Sequence, residues 1–451
     1  MASRPSIGIQ WHITNKCTQR CRHCYLIRRN AKRAEIEDLP FEKACAIVDC
    51  IVACIERFGA KGSINLTGGD PLLYEHIWGV LKYVQEKGLS VSILGNSYKI
   101  DDTSATKLRE LGVRHYQISI DGLEENHDWL RKEGSFSDSM RAFDILQKHD
   151  IGTGIMYTVI RRNRNDLLPV MRLAAQRNLR SFAFDVVTPN GKDDNINNMM
   201  LSPLELREVY LDYVKEAAEI WKRGSTTIFA RKNNLHFLIA EEGNKLYPVF
   251  SDTHTLYAGC PIGQGLAICA DGRVIPCPRI PIVIGQLPHD DMADILLYAG
   301  LLRRFRNRDN FKKCSRCTLF QYCRGCPANA YATTGDFFAG DPYCWKEVDH
   351  TSPVQHAPKR KIQFGKECKL SAREREIMGI YYSWQFTDRT LKNDVFQEIL
   401  GRALRDMIFR KELAKDLKGT CHKYHYEPND VMLYELSRVE FNSFFNLLEG
   451  I

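Results

Sequence analysis

Three cysteines near the start of the chain have the spacing to do metal chemistry. Cys17, Cys21 and Cys24 lie in the run Cys17-Thr18-Gln19-Arg20-Cys21-Arg22-His23-Cys24-Tyr25. One short loop can therefore bring three thiols together. An iron–sulfur cube is usually held by four thiolates, one per iron, so three would leave one iron open to another ligand. The bland readings are a zinc loop or a redox-active thiol cluster. Zinc sites favour paired CxxC or His/Cys spacings and a fourth protein ligand, and none follows nearby.

A second group of cysteines begins at Cys260 and continues through Cys277, Cys314, Cys317, Cys323 and Cys326 to Cys344. Cys269 lies within it, on a stretch that reads as a hairpin turning at Asp271-Gly272. A zinc ribbon explains two CxxC pairs but not seven thiols in this order. Cys45, Cys50 and Cys54 read differently. At helical spacing Cys50 and Cys54 join the stripe of Ile47, Ile51 and Phe58, while Cys45 falls on an acidic face, so they read as structural. Cys368 and Cys421 read as incidental.

The elements that must position the first loop repeat about every 30 residues as strand and then helix. Strands are expected at 6–13, 63–67, 89–94, 115–120, 154–160 and 181–187, with helices between them. In the first, Ile7, Ile9, Trp11 and Ile13 alternate with Gly8, Gln10, His12 and Thr14, and the cysteine loop follows directly. Strands alternating with helices imply a parallel sheet with right-handed crossovers. Six units cannot close an eight-stranded barrel, so an open, three-quarter (β/α)6 TIM-like barrel is expected. Its chemistry should sit at the carboxyl ends of the strands. Ser202-Pro203 reads as the start of a helix running to about Lys222, and 224–258 as a mixed linker with a second short helix.

This combination resembles the radical S-adenosylmethionine (SAM) enzymes, through the CxxxCxxC loop after the first strand with Tyr25 beside its last cysteine. Further matches are Thr67-Gly68-Gly69-Asp70-Pro71-Leu72 after the second strand, and Ser119-Ile120-Asp121-Gly122 followed by His127 to Arg131. The resemblance implies that the open iron is chelated by SAM, that the backbone of Gly68, Gly69 and Asp70 meets its amino group, and that Ser119 and Arg131 hold its carboxylate. Asp70 stands where the family has Glu, which keeps the charge and shortens the reach. Asn96 is a further candidate for a polar contact to SAM. Without the upstream cysteines, Asp121 would read as a turn cap.

The second cysteine group resembles the SPASM domain, which holds two auxiliary four-iron clusters, although Arg324 and Gly325 make its last spacing one residue short. The resemblance assigns Cys314, Cys317, Cys323 and Cys344 to one cluster, and Cys260, Cys277 and Cys326 to the other. The fourth ligand of the second set is unassigned; Cys269 could supply it. Four regions follow: a radical SAM barrel at 1–195, a helical bridge at 196–257, a small α+β SPASM domain at 258–352, and a mostly helical extension at 353–451. That extension opens on Lys359-Arg360-Lys361, which reads as a solvated patch. Apolar residues then recur at helical spacing, through Met407, Leu413 and Leu417 and again through Phe441, Phe444, Phe445 and Leu448.

By resemblance the chain reductively cleaves SAM to a 5′-deoxyadenosyl radical and oxidatively modifies a ribosomally made peptide, by thioether or carbon–carbon cross-linking. An anaerobic sulfatase-maturating activity is the alternative. It calls for a dedicated base, and none can be identified; Asp185 is only suggestive. A non-catalytic electron-transfer or binding protein is the other rival. The implied partners are a peptide or protein substrate and an external donor of flavodoxin or ferredoxin type. Because the first strand begins almost at once, recognition of a leader is expected from the C-terminal region, the barrel face or a separate protein.

Whole-chain properties narrow the field. The 451 residues are 44% hydrophobic and 26% charged, ordinary for a globular protein of two or three domains. No apolar run approaches the roughly 18 residues of a membrane helix, and no signal segment precedes the first strand, so cytoplasmic residence without membrane contact is expected. Sixteen cysteines in a reducing compartment favour metal ligation over disulfides. A charge of +8 spread along the chain does not argue for a nucleic-acid partner.

Overall fold

A computed structural model describes residues 6–26, 37–189, 193–242, 262–263, 265–320, 323–349, 351, 367–375, 399 and 407–426. The expected strand–helix alternation is present. Strands β1 (Ser6–Thr14), β2 (Lys61–Gly68), β3 (Ser90–Gly95), β4 (His115–Ser119), β5 (Gly152–Val159) and β6 (Ser181–Val186) pair in sequence order, all parallel. Helices α1 (Phe41–Phe58), α2 (Ile77–Glu86), α3 (Asp102–Glu110), α4 (Glu124–Leu130), α5 (Ser135–Lys148) and α6 (Leu167–Gln176) lie between them.

The period-two alternation of each strand divides its side chains between two faces. Ile9, Trp11, Ile64, Leu66, Ile93, Tyr116, Ile118, Tyr157, Phe182 and Phe184 bury themselves in the core. Burying such a side chain contributes about 1.5–3 kcal/mol. The intervening residues Gln10, Asn65, Gln117, Thr158 and Asp185 line a cavity instead. The same alternation that builds the core therefore delivers polar groups to the site.

The sheet continues past both edges of the expected six strands. Helix α7 (Pro203–Lys222) starts at Ser202-Pro203 as read, on the reciprocal cap between Ser202 and Glu205. The stretch read as a mixed linker with a short helix holds a strand as well as that helix. Residues Ile228–Arg231 form β7, parallel to β6, ahead of α8 (His236–Glu241). On the other edge, β8 (Ala267–Ile268) pairs parallel with β1. β9 (Arg273–Ile275) runs antiparallel to both β8 and β10 (Gly285–Gln286), so the cysteine hairpin grows directly from the barrel sheet. β10 and β7 end the strand order and do not pair, so the barrel is open. At the hairpin turn Gly272 has φ +82°, and a Cβ there would meet the Leu287 carbonyl at 2.4 Å.

The second domain has its own core, in which Phe305, Phe311, Phe320, Phe337 and Phe338 gather around Ile280. It includes α9 (Met292–Tyr298), α10 (Gly300–Arg306) and α11 (Pro327–Thr334). Cys54 is buried in the α1 stripe, Cys50 packs beside it half-buried, and Cys45 stays near Asp49 and Glu42, as their spacing implied. In the extension, α12 (Met407–Lys415) and α13 (Leu417–Lys423) bury Phe409, Leu413 and Cys421. Lys359-Arg360-Lys361 and the phenylalanines from Phe441 onward lie outside the described residues. No described helix is long and apolar enough to cross a membrane.

Candidate active site

The cysteine loop is braced from below by the turn that ends β2. Gly69 donates its N–H to the Thr14 carbonyl at 2.8 Å, and Asp70 donates to that of Lys16 at 2.7 Å. There is no room for a side chain in this contact. A Cβ on Gly69 would stand 2.0 Å from the Lys16 oxygen, and one on Gly68, at φ +127°, 2.3 Å from that of Thr14. Asp70 itself is fully buried and turned away from the cavity, accepting the Leu72 N–H at 3.4 Å. Burial pushes its carboxyl up to about 6. The paired glycines thus line the cavity and shape the cysteine loop at once.

Two side chains from beyond the loop reach the thiols. Asn96, just past β3, donates Nδ2–H to the Cys17 sulfur at 3.3 Å. Arg131, at the end of α4, points Nη1 at the Cys21 sulfur at 3.7 Å and at Gln19 Oε1 at 3.5 Å. Its Nε donates to Asp121 Oδ2 at 2.5 Å. Asp121 has no exposed surface, accepts the Thr158 N–H at 2.6 Å, and has His23 Nε2 at 3.8 Å. Burial alone would raise the Asp121 carboxyl; Arg131, His23 and His127 outweigh it and hold it below its usual range. Ser119 and Arg131, named from the sequence, both line the cavity; Asp121 takes no role there from its sequence neighbours beyond that of a turn cap. Its buried partner Arg131 lies ten residues on, a pairing no local pattern announces.

Cys17, Cys21, Cys24, Tyr25, Gly68, Gly69, Asn96, Ser119, Arg131, Asp185, Cys277 and Arg279 all line one cavity of about 1210 Å³. Burial pushes the Cys21 thiol up to about 11, opposed by Arg131 and reinforced by Cys24. Burial raises Cys17 as well. Bound cationic iron displaces such protons, because only thiolates ligate. Among the described residues no three His, Cys, Asp or Glu side chains are gathered closely enough to hold a single metal ion. The loop suits a cluster whose irons take one thiolate each.

In the second domain Cys314 is pushed up to about 12, first by burial and then by the nearness of Cys344 and Cys317. Burial raises Cys323 too, with Cys314 and Cys344 beside it. Cys317, Cys323 and Cys344 thus all lie within electrostatic reach of Cys314. Cys277 and Cys326 both lie within electrostatic reach of the Arg279 guanidinium, and Asp341 accepts the Cys326 N–H at 2.8 Å. Cys260 lies outside the described residues. Arg279 reaches across to β6 and pairs with Asp185. Sequence reading missed it, although it lies only two residues past Cys277.

An open parallel barrel with a three-thiol loop at its mouth, joined by a cysteine-rich second domain, defines a SAM-cleaving iron–sulfur protein class. Residues 11–174 match the radical SAM superfamily, and 260–327 match SPASM, an iron–sulfur cluster-binding domain. The chain carries a radical SAM domain followed by a SPASM domain. With these domains come a four-iron cluster, auxiliary iron–sulfur clusters and SAM.

Among similar proteins is the AdoMet-dependent heme synthase of Methanosarcina barkeri, 26% identical over 76% of this chain and 97% of that protein. The mycofactocin maturase MftC of Mycolicibacterium smegmatis is 23% identical over 75% of this chain and 82% of that protein. Among solved structures, Streptococcus suis SuiB bound to its precursor peptide SuiA shares the fold. Its TM-score is 0.59 at 17% identity, covering 76% of each chain.

Proposed function

We propose that this chain cleaves SAM reductively and uses the resulting radical to oxidise a ribosomally made peptide or protein. The observation that carries this reading is the single cavity shared by the three-cysteine loop, the glycine turn, Ser119 and Arg131 on one wall and Cys277 with Arg279 on the other. SAM bound to the first cluster supplies a 5′-deoxyadenosyl radical that abstracts hydrogen from a substrate C–H bond. The chain's own groups do the rest. Ser119 and Arg131 hold the SAM carboxylate, a charge-assisted pairing suited to a guanidinium fork. Gly68 and Gly69 leave backbone exposed to the SAM amino group. Tyr25 flanks the last thiol. Cys314, Cys317, Cys323 and Cys344 would hold one auxiliary cluster, and Cys260, Cys277 and Cys326 would contribute to the other; such clusters would supply an acceptor for the electron of the substrate radical. An external flavodoxin- or ferredoxin-type protein supplies the reducing electron, and a separate protein or the extension recognises the substrate's leader.

A second substrate class, an iron tetrapyrrole, is favoured by a specific observation: the similarity to heme synthases spans nearly the whole of those proteins. The sulfatase-maturating alternative needs a free base. Asp185, the acid/base candidate, is instead engaged by Arg279, by the Val186 N–H at 2.8 Å and by Asn233 at 3.5 Å. The radical SAM match also argues against a non-catalytic electron carrier.

The test is anaerobic turnover of the reconstituted protein with SAM and dithionite, against peptides encoded beside its gene and against iron–coproporphyrin III. Loss of hydrogen mass from a peptide supports the first reading. Modification of the tetrapyrrole alone transfers the proposal to the second class, and absence of SAM cleavage removes both.

A further inference from the structure

Arg279 is a charged group in the cavity that SAM binding does not use. It lies on the hairpin side, and its side chain is 21% exposed where it lines the cavity. A guanidinium carries five N–H donors in a planar fork. Among the described residues, Arg279 makes one side-chain hydrogen bond, from Nη2 to Asp185 Oδ2, and its backbone N–H meets the Cys277 sulfur at 3.5 Å. Its Nε and Nη1 have no hydrogen-bond partner there, and neither is among the atoms sealed away from solvent.

Asp185 is itself fixed. One of its oxygens takes the Val186 N–H at 2.8 Å and faces Asn233 Nδ2 at 3.5 Å, which leaves the other for Arg279. The acid therefore tethers one end of the guanidinium to strand β6. Tyr25 on the cysteine loop and Cys277 and Cys326 in the second domain all lie within reach of its charge. A fixed edge of cationic donors thus stands between the SAM wall and the auxiliary-cysteine wall.

A cation recruited merely to offset auxiliary thiolates explains this poorly. Pairing it with a carboxylate cancels the charge it would bring, and a half-buried ion pair is seldom retained for stability alone. A pair that orients a donor fork for a third group has a clearer use. We propose that Arg279, oriented by Asp185, is the receptor for a carboxylate on the substrate, and that the substrate enters the cavity with that carboxylate close to its reacting carbon. This deepens the radical-oxidation reading and rests on it. Peptides and tetrapyrroles can both present such a group, so the shared chemistry is the carboxylate.

The test uses the reconstituted, SAM-loaded full chain with 3-phenylpropionate and its neutral amide as probes, followed by saturation-transfer NMR titration. Wild type should bind the acid about tenfold more tightly than the amide, the size of one charge-assisted contact. Arg279→Gln should bring the two within about twofold at unchanged iron content, and Arg279→Lys, which keeps charge but loses the fork, should fall between. Four results overturn the proposal. They are no acid preference in wild type, an unchanged preference in Arg279→Gln, a preference in Arg279→Lys equal to wild type, or a preference that falls only in step with lost iron in both variants. Wild-type SAM cleavage, measured alongside, reports separately on the function on which the proposal rests.

Discussion

Arg131 joins two tasks in one side chain. It lines the cavity where SAM must lie, and it also neutralises buried Asp121 while approaching the Cys21 sulfur. Arg131→Ala should therefore weaken SAM binding and also leave Asp121 uncompensated, destabilising the fold by about 3–5 kcal/mol. Anaerobic urea unfolding together with a SAM titration checks both halves. Loss of SAM affinity at unchanged stability would deny the Asp121 pairing its structural role. At this scale the sequence was legible where a residue belongs to a contiguous pattern, as with the first three cysteines, Ser119 and Arg131. It was illegible where the partner arrives through the fold. Asp185 and Arg279 are 94 positions apart and meet only because the hairpin extends the sheet beside β1 while β6 curves round to face it.

The glycine turn after β2 shows how an element fixes chemistry it does not perform. Gly69→Ala would drive a Cβ into the Lys16 carbonyl, so the cysteine loop must move. The expected result is loss of about four irons per chain and of 5′-deoxyadenosine formation. Gly88→Ala is the control, since nothing lies within 4 Å of its added Cβ and only its φ of +69° is strained. That should cost about 1 kcal/mol with iron content intact. Iron analysis of the two purified proteins decides the matter, and equal iron in both would remove the brace. The barrel strands were readable because short apolar runs, alternating most clearly along β1, recur between helical stretches. β7 was not, because four residues carry no period; the β8–β9 hairpin was read from its turn, but its pairing with β1 is imposed by the sheet edge it meets.

Across the whole molecule, one polar node ties together three parts of the chain. Arg57 on α1 pairs with Asp294 on α9 at 2.9 Å and with Glu374 at 2.6 Å, while Tyr298 donates to Glu374 at 3.1 Å. The Ser371 backbone N–H is the first cause holding the Glu374 carboxyl down to about 2, with the Ser371 hydroxyl and Arg57 assisting. A carboxyl depressed on folding stabilises above its unfolded value near 4.5, and that contribution is lost as pH falls toward 2. Wild type should therefore exceed Glu374→Gln in urea midpoint by a constant margin from about pH 7 to 5, shrinking at lower pH. A margin that grows on acidification would contradict the node. The central claim is a division of labour, with Cys17, Cys21 and Cys24 serving SAM cleavage and the later cysteines serving the auxiliary clusters. It is tested most directly by measuring iron and 5′-deoxyadenosine together, after anaerobic reconstitution, in two variants of the full chain. Replacing Cys17, Cys21 and Cys24 by Ala should remove about four of about twelve irons and all 5′-deoxyadenosine. Replacing Cys314 and Cys317 by Ala should remove a similar share of iron and leave SAM cleavage measurable. Stoichiometric zinc in place of iron, or 5′-deoxyadenosine still formed without the first three cysteines, would contradict it.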